Sequence, residues 1–175
     1  MLPFTFRSYK RKLTLYRKSF RKFLFVTEKE PPRGINQLSK LTEPEVWKEV
    51  DCLTCANCCK KMTPTFTQQD LKRIAAHFNQ TPEAFKKKWL KKDRSGDLVN
   101  KNQPCQFLNL EDNKCSIYEI RPVDCSGFPH LSKRTWSDYA YIHRQNLDYC
   151  PATFKMVEKI KLLVESGNAD KKRAK

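Results

Sequence analysis

Cys52, Cys55, Cys58 and Cys59, in the run CLTCANCC, place four thiols within eight residues of a 175-residue chain. A thiolate is a soft, strong ligand, and a gap of two residues lets one tight turn aim two sulfurs at the same ion or cluster. Four more cysteines follow, Cys105, Cys115, Cys125 and Cys150, so eight cysteines stand against three histidines and any metal chemistry is dominated by sulfur. All eight are therefore candidate ligands. Disulfides are the competing use, and they need an oxidising compartment. A secretory signal requires an unbroken apolar run of roughly 7 to 15 residues, whereas basic residues interrupt the N-terminal region from Arg7 to Lys22. The expectation is a cytoplasmic chain with reduced thiols. No stretch approaches the roughly 20 consecutive apolar residues of a transmembrane helix.

The adjacent pair constrains how these ligands are shared. Cys58 and Cys59 leave the backbone in different directions, so the expectation is that Cys52, Cys55 and one of the pair grip one centre while the other turns elsewhere. Eight thiolates suffice for two four-cysteine zinc sites, or for one iron-sulfur cluster with thiols to spare. The spacing C-x2-C-x2-C resembles that of four-iron clusters, and structural zinc fits the same thiols. His77 and His143 read as satisfied polar residues. His130, which follows Phe128 and Pro129 near Cys125, stays outside the ligand set because sulfur is sufficient without it. Arg121 is expected to pair with Glu119 or Asp124. No nucleophile, base and orienting acid are combined in a way that supports hydrolysis.

Several elements must position these thiols. Phe6, Tyr9, Leu13, Tyr16, Phe20 and Phe23 recur at spacings of three and four, predicting an amphipathic N-terminal helix whose other faces are strongly cationic. The prolines and glycine of EKEPPRG (28–34) interrupt it. Thr42 with Glu45 resembles a capping box and Pro44 suits a first turn, so a short helix is expected to lead into Cys52. Thr67 with Asp70 predicts a helix bearing Leu71, Ile74, Ala75 and Phe78, and Thr81 with Pro82 predicts the next, with Phe85, Trp89 and Leu90 buried. From Asp97 to Tyr118 short apolar runs alternate with turn residues, predicting a small hairpin that brings Cys105 and Cys115 together. An irregular loop surrounds Cys125. Residues 131 to 149 are readable as helix or strand. Pro151 opens a last helix through Phe154, Val157, Ile160, Leu163 and Val164, with a stop at Gly167.

These elements predict a mainly helical α+β fold: a small, irregular single domain organised around a cysteine-ligated metal centre, with one short β-hairpin. The expected divisions are a basic amphipathic helix and linker at 1–34, the cysteine-cluster domain at 35–166, and a disordered basic tail at 167–175. The net charge is +16 with neutral thiols, and eight thiolates would halve it. A basic surface of this kind attracts nucleic acid, anionic lipid or an acidic protein without naming one. For the N-terminal helix the simplest reading is docking on the domain through its aromatic face. A surface- or partner-binding helix and an organelle presequence are the other two.

Read in order, the chain carries C-x2-C-x2-CC, then Cys105 in C-x-F-L, Cys115 in C-x-I-Y-x-x-R-P, Cys125 in C-x-x-F-P, and finally Cys150 before Pro151. From about Val46 to Pro151 this resembles the YkgJ-like cysteine cluster family, whose members are described as zinc- or iron-chelating proteins and carry a CxxCxxCC signature. The resemblance implies a zinc or iron cofactor held by the cysteines. Flagellin lysine N-methylases contain a similar cysteine region within a larger protein, which implies as an alternative an iron-sulfur redox component or a methylase component. One departure stands out. The family commonly has arginine directly after the cysteine of C-x-x-F-P, where this chain has Ser126.

Overall fold

A computed structural model describes residues 5–173, with side chains as far as residue 167. The elements are α1 (Phe6–Lys29), α2 (Ile35–Glu49), α3 (Cys52–Cys55), α4 (Asn57–Lys61), α5 (Gln68–His77), α6 (Pro82–Trp89), β1 (Leu90–Lys92), β2 (Leu98–Asn100), a 3-10 turn (Tyr118–Ile120), α7 (Val123–Gly127), α8 (Trp136–Asn146) and α9 (Pro151–Arg173). The mainly helical α+β expectation holds. The chain forms two compact units, Met1–Asp51 with Pro129–Lys175, and Cys52–Phe128. None of the helices among the described residues is long and apolar enough to cross a membrane.

The first unit packs α1 against α8 and α9, and α2 against α9. Thr5 caps α1 by accepting the Ser8 N–H, and the helix ends at Glu30, just before Pro31 and Pro32. Its buried stripe is Tyr9, Leu13, Phe20 and Leu24, while Phe6 and Tyr16, expected to be inside, are exposed. The Tyr9 hydroxyl donates to the Leu147 carbonyl at 2.9 Å, and its ring meets Phe154 edge-on. The helical periodicity of α1 therefore serves docking within this unit.

Two sequence expectations are corrected here, and one open reading is decided. The box proposed at Thr42 does not start a helix: α2 begins at Ile35, directly after Gly34, whose φ of +79° reverses the chain. Thr42 is buried inside it and Pro44 lies in its interior. Burial of Ile35 and Ser39, one helical turn apart, outweighs the local capping signal. Of the 131–149 segment, readable as helix or strand, Trp136–Asn146 is helical, as α8, with Thr135 accepting the Asp138 N–H. Gly167 does not stop the last helix, which continues to Arg173, so residues 167 to 173 of the expected disordered tail are helical. Glycine ends a helix by adopting the left-handed conformation, and Gly167 stays out of it. Residues 174 and 175 lie outside the described residues.

The second unit is built on Phe66, Leu71, Ile74, Ala75, Phe85, Leu90, Leu98, Phe107 and Ile117, with Cys105 and Cys115 packed against this core. Thr67 and Asp70 form the expected capping box of α5, and Thr81 caps α6. Phe85 stacks on Phe107 with the ring planes 4° apart. The hairpin lies earlier than expected. β1 and β2 pair antiparallel, Leu90 opposite Asn100 and Lys92 opposite Leu98. Its turn is closed by Asp93, whose Oδ1 accepts the Ser95 and Asp97 N–H groups, and by Gly96 at φ +87°. That turn wins because a carboxylate and a glycine both serve it. Of the predicted region, Leu98–Asn100 is β2, and around Cys105 and Cys115 the pairing is a bridge between Leu108 and Cys115, flanked by the bonds from the Asn109 N–H to the Lys114 carbonyl and from the Ser116 N–H to the Phe107 carbonyl.

Candidate metal centre

The signature CLTCANCC forms two helical turns joined by one residue. Cys52 and Cys55 begin and end α3, and the Ala56 N–H closes that turn on the Cys52 carbonyl at 3.1 Å. Ala56 itself is left-handed, at φ +44°, and lets α4 start in a new direction. A non-glycine residue there costs about 1 kcal/mol, so the break is held by its surroundings. Cys52 is exposed, Cys55, Cys58 and Cys59 are half-buried, and all eight cysteines are thiols.

The adjacent pair corrects the expectation of divergence, since Cys58 Sγ and Cys59 Sγ lie 3.9 Å apart. Zinc–sulfur bonds of about 2.3 Å set the edge of a tetrahedral site at roughly 3.8 Å. Neighbours in sequence can thus present their sulfurs at one ligand edge. The physical reason is rotameric: a turn of roughly 100° between successive helical residues is offset by rotation about χ1.

Three further segments bring sulfur to Cys59. The Cys105 N–H donates to the Cys59 carbonyl at 2.9 Å, which stitches the 105 loop to the signature. Cys105 Sγ accepts the Phe107 N–H and the Asn100 side-chain amide, the latter at 3.2 Å. Cys115 Sγ accepts the Ile117 N–H in the same i to i+2 pattern. Two cysteine knuckles therefore face the signature. Cys125 arrives on α7, which is tied down through Asp70: its Oδ1 accepts the Val123 N–H at 3.2 Å and Arg73 at 2.7 Å. Asp124, beside Cys125, accepts the Thr65 N–H at 3.0 Å.

The charges of these sulfurs act on one another. The bond with Cys58, followed by burial and the charge of Cys58, pushes the Cys59 thiol up. Burial raises Cys105, Cys115 and Cys125, and the charge of Cys59 adds to the rise at each. Four neutral thiols can coexist here, whereas four thiolates require a cation. Among the described residues, no three or more His, Cys, Asp or Glu side chains are arranged to hold a metal ion as they stand. The donor chemistry of these sulfurs fits a thiophilic cation.

The other candidates are placed as follows. Cys150 belongs to the other compact unit, buried ahead of α9, with its N–H on the Asn146 carbonyl at 2.7 Å. Arg121, expected to pair with Glu119 or Asp124, lies over the Tyr118 ring, 3.9 Å from its centroid, and its charge opposes the rise at Cys115. Ser126 uses its hydroxyl within α7, donating to the Val123 carbonyl. Asn100 was missed by sequence reading. It is buried, holds Cys105 Sγ, and accepts from Gln106 at 2.9 Å. An asparagine closing a short strand carries no signal for such a role.

Known proteins supply a frame for this geometry. The family model CxxCxxCC, described as "Putative zinc- or iron-chelating domain", matches residues 51–151. Over 81 residues the chain is 31% identical to an uncharacterized protein, MJ0661, of Methanocaldococcus jannaschii, a match covering 45% of this chain and 43% of that protein. The chain thus spans less than half the length of this relative. No solved structure matches. The matched interval covers more than half of the chain and takes in all eight cysteines. On that match the chain belongs to the CxxCxxCC family of zinc- or iron-chelating domains.

Proposed function

We propose that this protein binds zinc or iron through its cysteines, in a reducing, cytoplasmic setting, and that one centre is made by Cys59, Cys105, Cys115 and Cys125. What supports the reading is that four half-buried thiols come from separate segments of one compact unit, that the Cys105 N–H donates to the Cys59 carbonyl at 2.9 Å, and that the charge of Cys59 acts on the other three thiols. Cys58 stands at the edge of this set and is a candidate to exchange with Cys59. Cys52 and Cys55, on the exposed turn, offer two further ligands for a second ion or for an iron-sulfur cluster; Cys150 stays in the candidate set on sequence alone. A bound divalent ion supplies charge neutralisation at the thiolates, and iron adds redox capacity.

Anaerobic purification followed by elemental analysis and a visible spectrum tests this. A colourless protein with stoichiometric zinc supports structural zinc, and a brown one with iron and acid-labile sulfide supports a cluster. Cys59→Ser and Cys125→Ser should each lose the metal of this centre, whereas Cys52→Ser should retain it. Full occupancy in both of the first two variants would remove this centre, and absence of zinc and iron from the native protein would remove the function.

A further inference from the structure

The metal reading leaves unused a cationic groove in the other compact unit, between α1 and α8, of about 510 Å³. It is lined by Arg21, Lys22 and Phe25 of α1 and by Tyr141, Arg144 and Gln145 of α8. Small-ligand sites span roughly 300–1,000 Å³. Phe25 is 48% exposed and Tyr141 53% exposed, and both line the same groove. The Arg144 guanidinium stands over both rings, 5.4 Å from Phe25 and 5.5 Å from Tyr141, and is fixed by Glu28 at 2.7 Å. Arg21 reaches across to the Arg144 carbonyl at 3.0 Å. Gln145 donates to the Tyr141 hydroxyl at 2.9 Å, which holds that ring in place.

We infer that this groove binds single-stranded nucleic acid, with bases stacking on Phe25 and Tyr141 and phosphates meeting Lys22 and Arg21. Charge complementarity supports the choice, since α1 carries nine lysines and arginines against one glutamate. Arg21 is partly balanced by Asp148 at 3.5 Å, and Lys22 brings its charge without an ion pair among the described residues. The ring surface left open beside Arg144, and beside Lys29 at 4.5 Å from the Phe25 centroid, selects unpaired bases, because in a duplex the base faces are already stacked. A bilayer is a poorer occupant: the apolar stripe of α1 that would enter lipid is buried in contact with α8 and α9.

The test is fluorescence anisotropy on the full, metal-loaded chain with a labelled 12-nucleotide oligouridine, a 12-base-pair duplex, uridine monophosphate as competitor, and phosphatidylserine vesicles. The strand should bind at least tenfold more tightly than the duplex. Phe25→Leu and Tyr141→Ala should each weaken it about tenfold, the order of one base–aromatic stack. Lys22→Glu should weaken it and reduce the salt dependence by about one phosphate contact. Both rings are half exposed, so unchanged thermal melts should accompany these losses, and Lys22→Glu tests the groove without touching packing. Equal affinity for strand and duplex with no effect of the ring variants would overturn the inference. So would vesicle binding without strand binding, or a mononucleotide that binds as tightly as the strand.

Discussion

His143 is 1% exposed, and burial, aided by the charge of His130, lowers its pKa to about 4. Its ring packs beside Trp136 and Tyr139 in α8. The unfolded chain takes up a proton near 6.5 and the folded one only near 4, so between these values the unfolded state binds more protons and stability falls with pH. The proton uptake across that window lowers stability by about 3 kcal/mol. Thermal melts of the native protein should drop steadily from pH 6.5 to 4, and His143→Phe should flatten that part of the curve. An unchanged slope in the variant would assign the loss to other groups. Asp70 acts at lower pH. Burial raises its pKa, but bonds from Thr67, Arg73 and Val123 outweigh that and leave it below the usual carboxylate range. Its contribution is complete above the ordinary aspartate value and disappears as pH falls through the lower folded one, so the two residues separate on the pH axis. The sulfurs of Cys58 and Cys59 carry a lesson at this same scale: adjacency in sequence suggested divergence, and rotamers decided otherwise.

At the level of elements, Asp70 links the start of α5 to the loop that delivers Cys125. One carboxylate closes the capping box with Thr67 and accepts from Arg73 and Val123. Asp70→Ala keeps the Thr67 hydroxyl on the residue-70 N–H but removes the carboxylate that accepts the Thr67 N–H, the Arg73 guanidinium and the part-buried Val123 N–H, and hydrogen bonds to a charged group contribute about 1.5–3 kcal/mol each. Denaturant melts should show a loss of about 2–4 kcal/mol, and metal retention should fall with it, because α7 loses its anchor. Asp70→Asn keeps Oδ1 for Val123 and should lie between the two; a variant as stable as the native protein would detach α7 from this carboxylate. The box was legible in sequence because Thr67 and Asp70 act within one turn, as was the cap at Thr81. The start of α2 was not, because its decisive contacts are made by Ile35 and Ser39 in the core of the first unit. The hairpin was read one segment late for a comparable reason: Asp93 and Gly96 form a better turn than Asp112 and Asn113, and a sequence lists both without ranking them. The family signature was legible from residue type and spacing, and the match over residues 51–151 bears it out. Asn100, the amide partner of Cys105, depends on a strand register that no local pattern encodes.

For the whole molecule, the division into two compact units makes metal removal a selective perturbation. The unit Cys52–Phe128 has two three-residue strands and a modest apolar core against which Cys105 and Cys115 pack. The other unit has α1, α2, α8 and α9, with a core containing Tyr9, Leu24, Trp136, Phe154, Met156 and Ile160. Its helices are further tied by Glu49, paired with Lys155 and Lys159 at 2.8 Å, and by Asp148, paired with Arg17 at 2.6 Å. None of these contacts involves a cysteine. Metal binding free energy becomes folding free energy only where the ligands are assembled by the fold. Chelation should therefore release amide protection in α5, α6, β1 and β2 while α1, α8 and α9 keep theirs. Hydrogen exchange read by mass spectrometry resolves the two sets, and circular dichroism should record a partial loss of helix, since the longest helices lie in the unit without the centre. Simultaneous loss of protection throughout would mean that the two units fold as one cooperative body. Unchanged protection in both would mean that the metal adds no folding energy, and the centre would then be a binding site on a fold that stands without it.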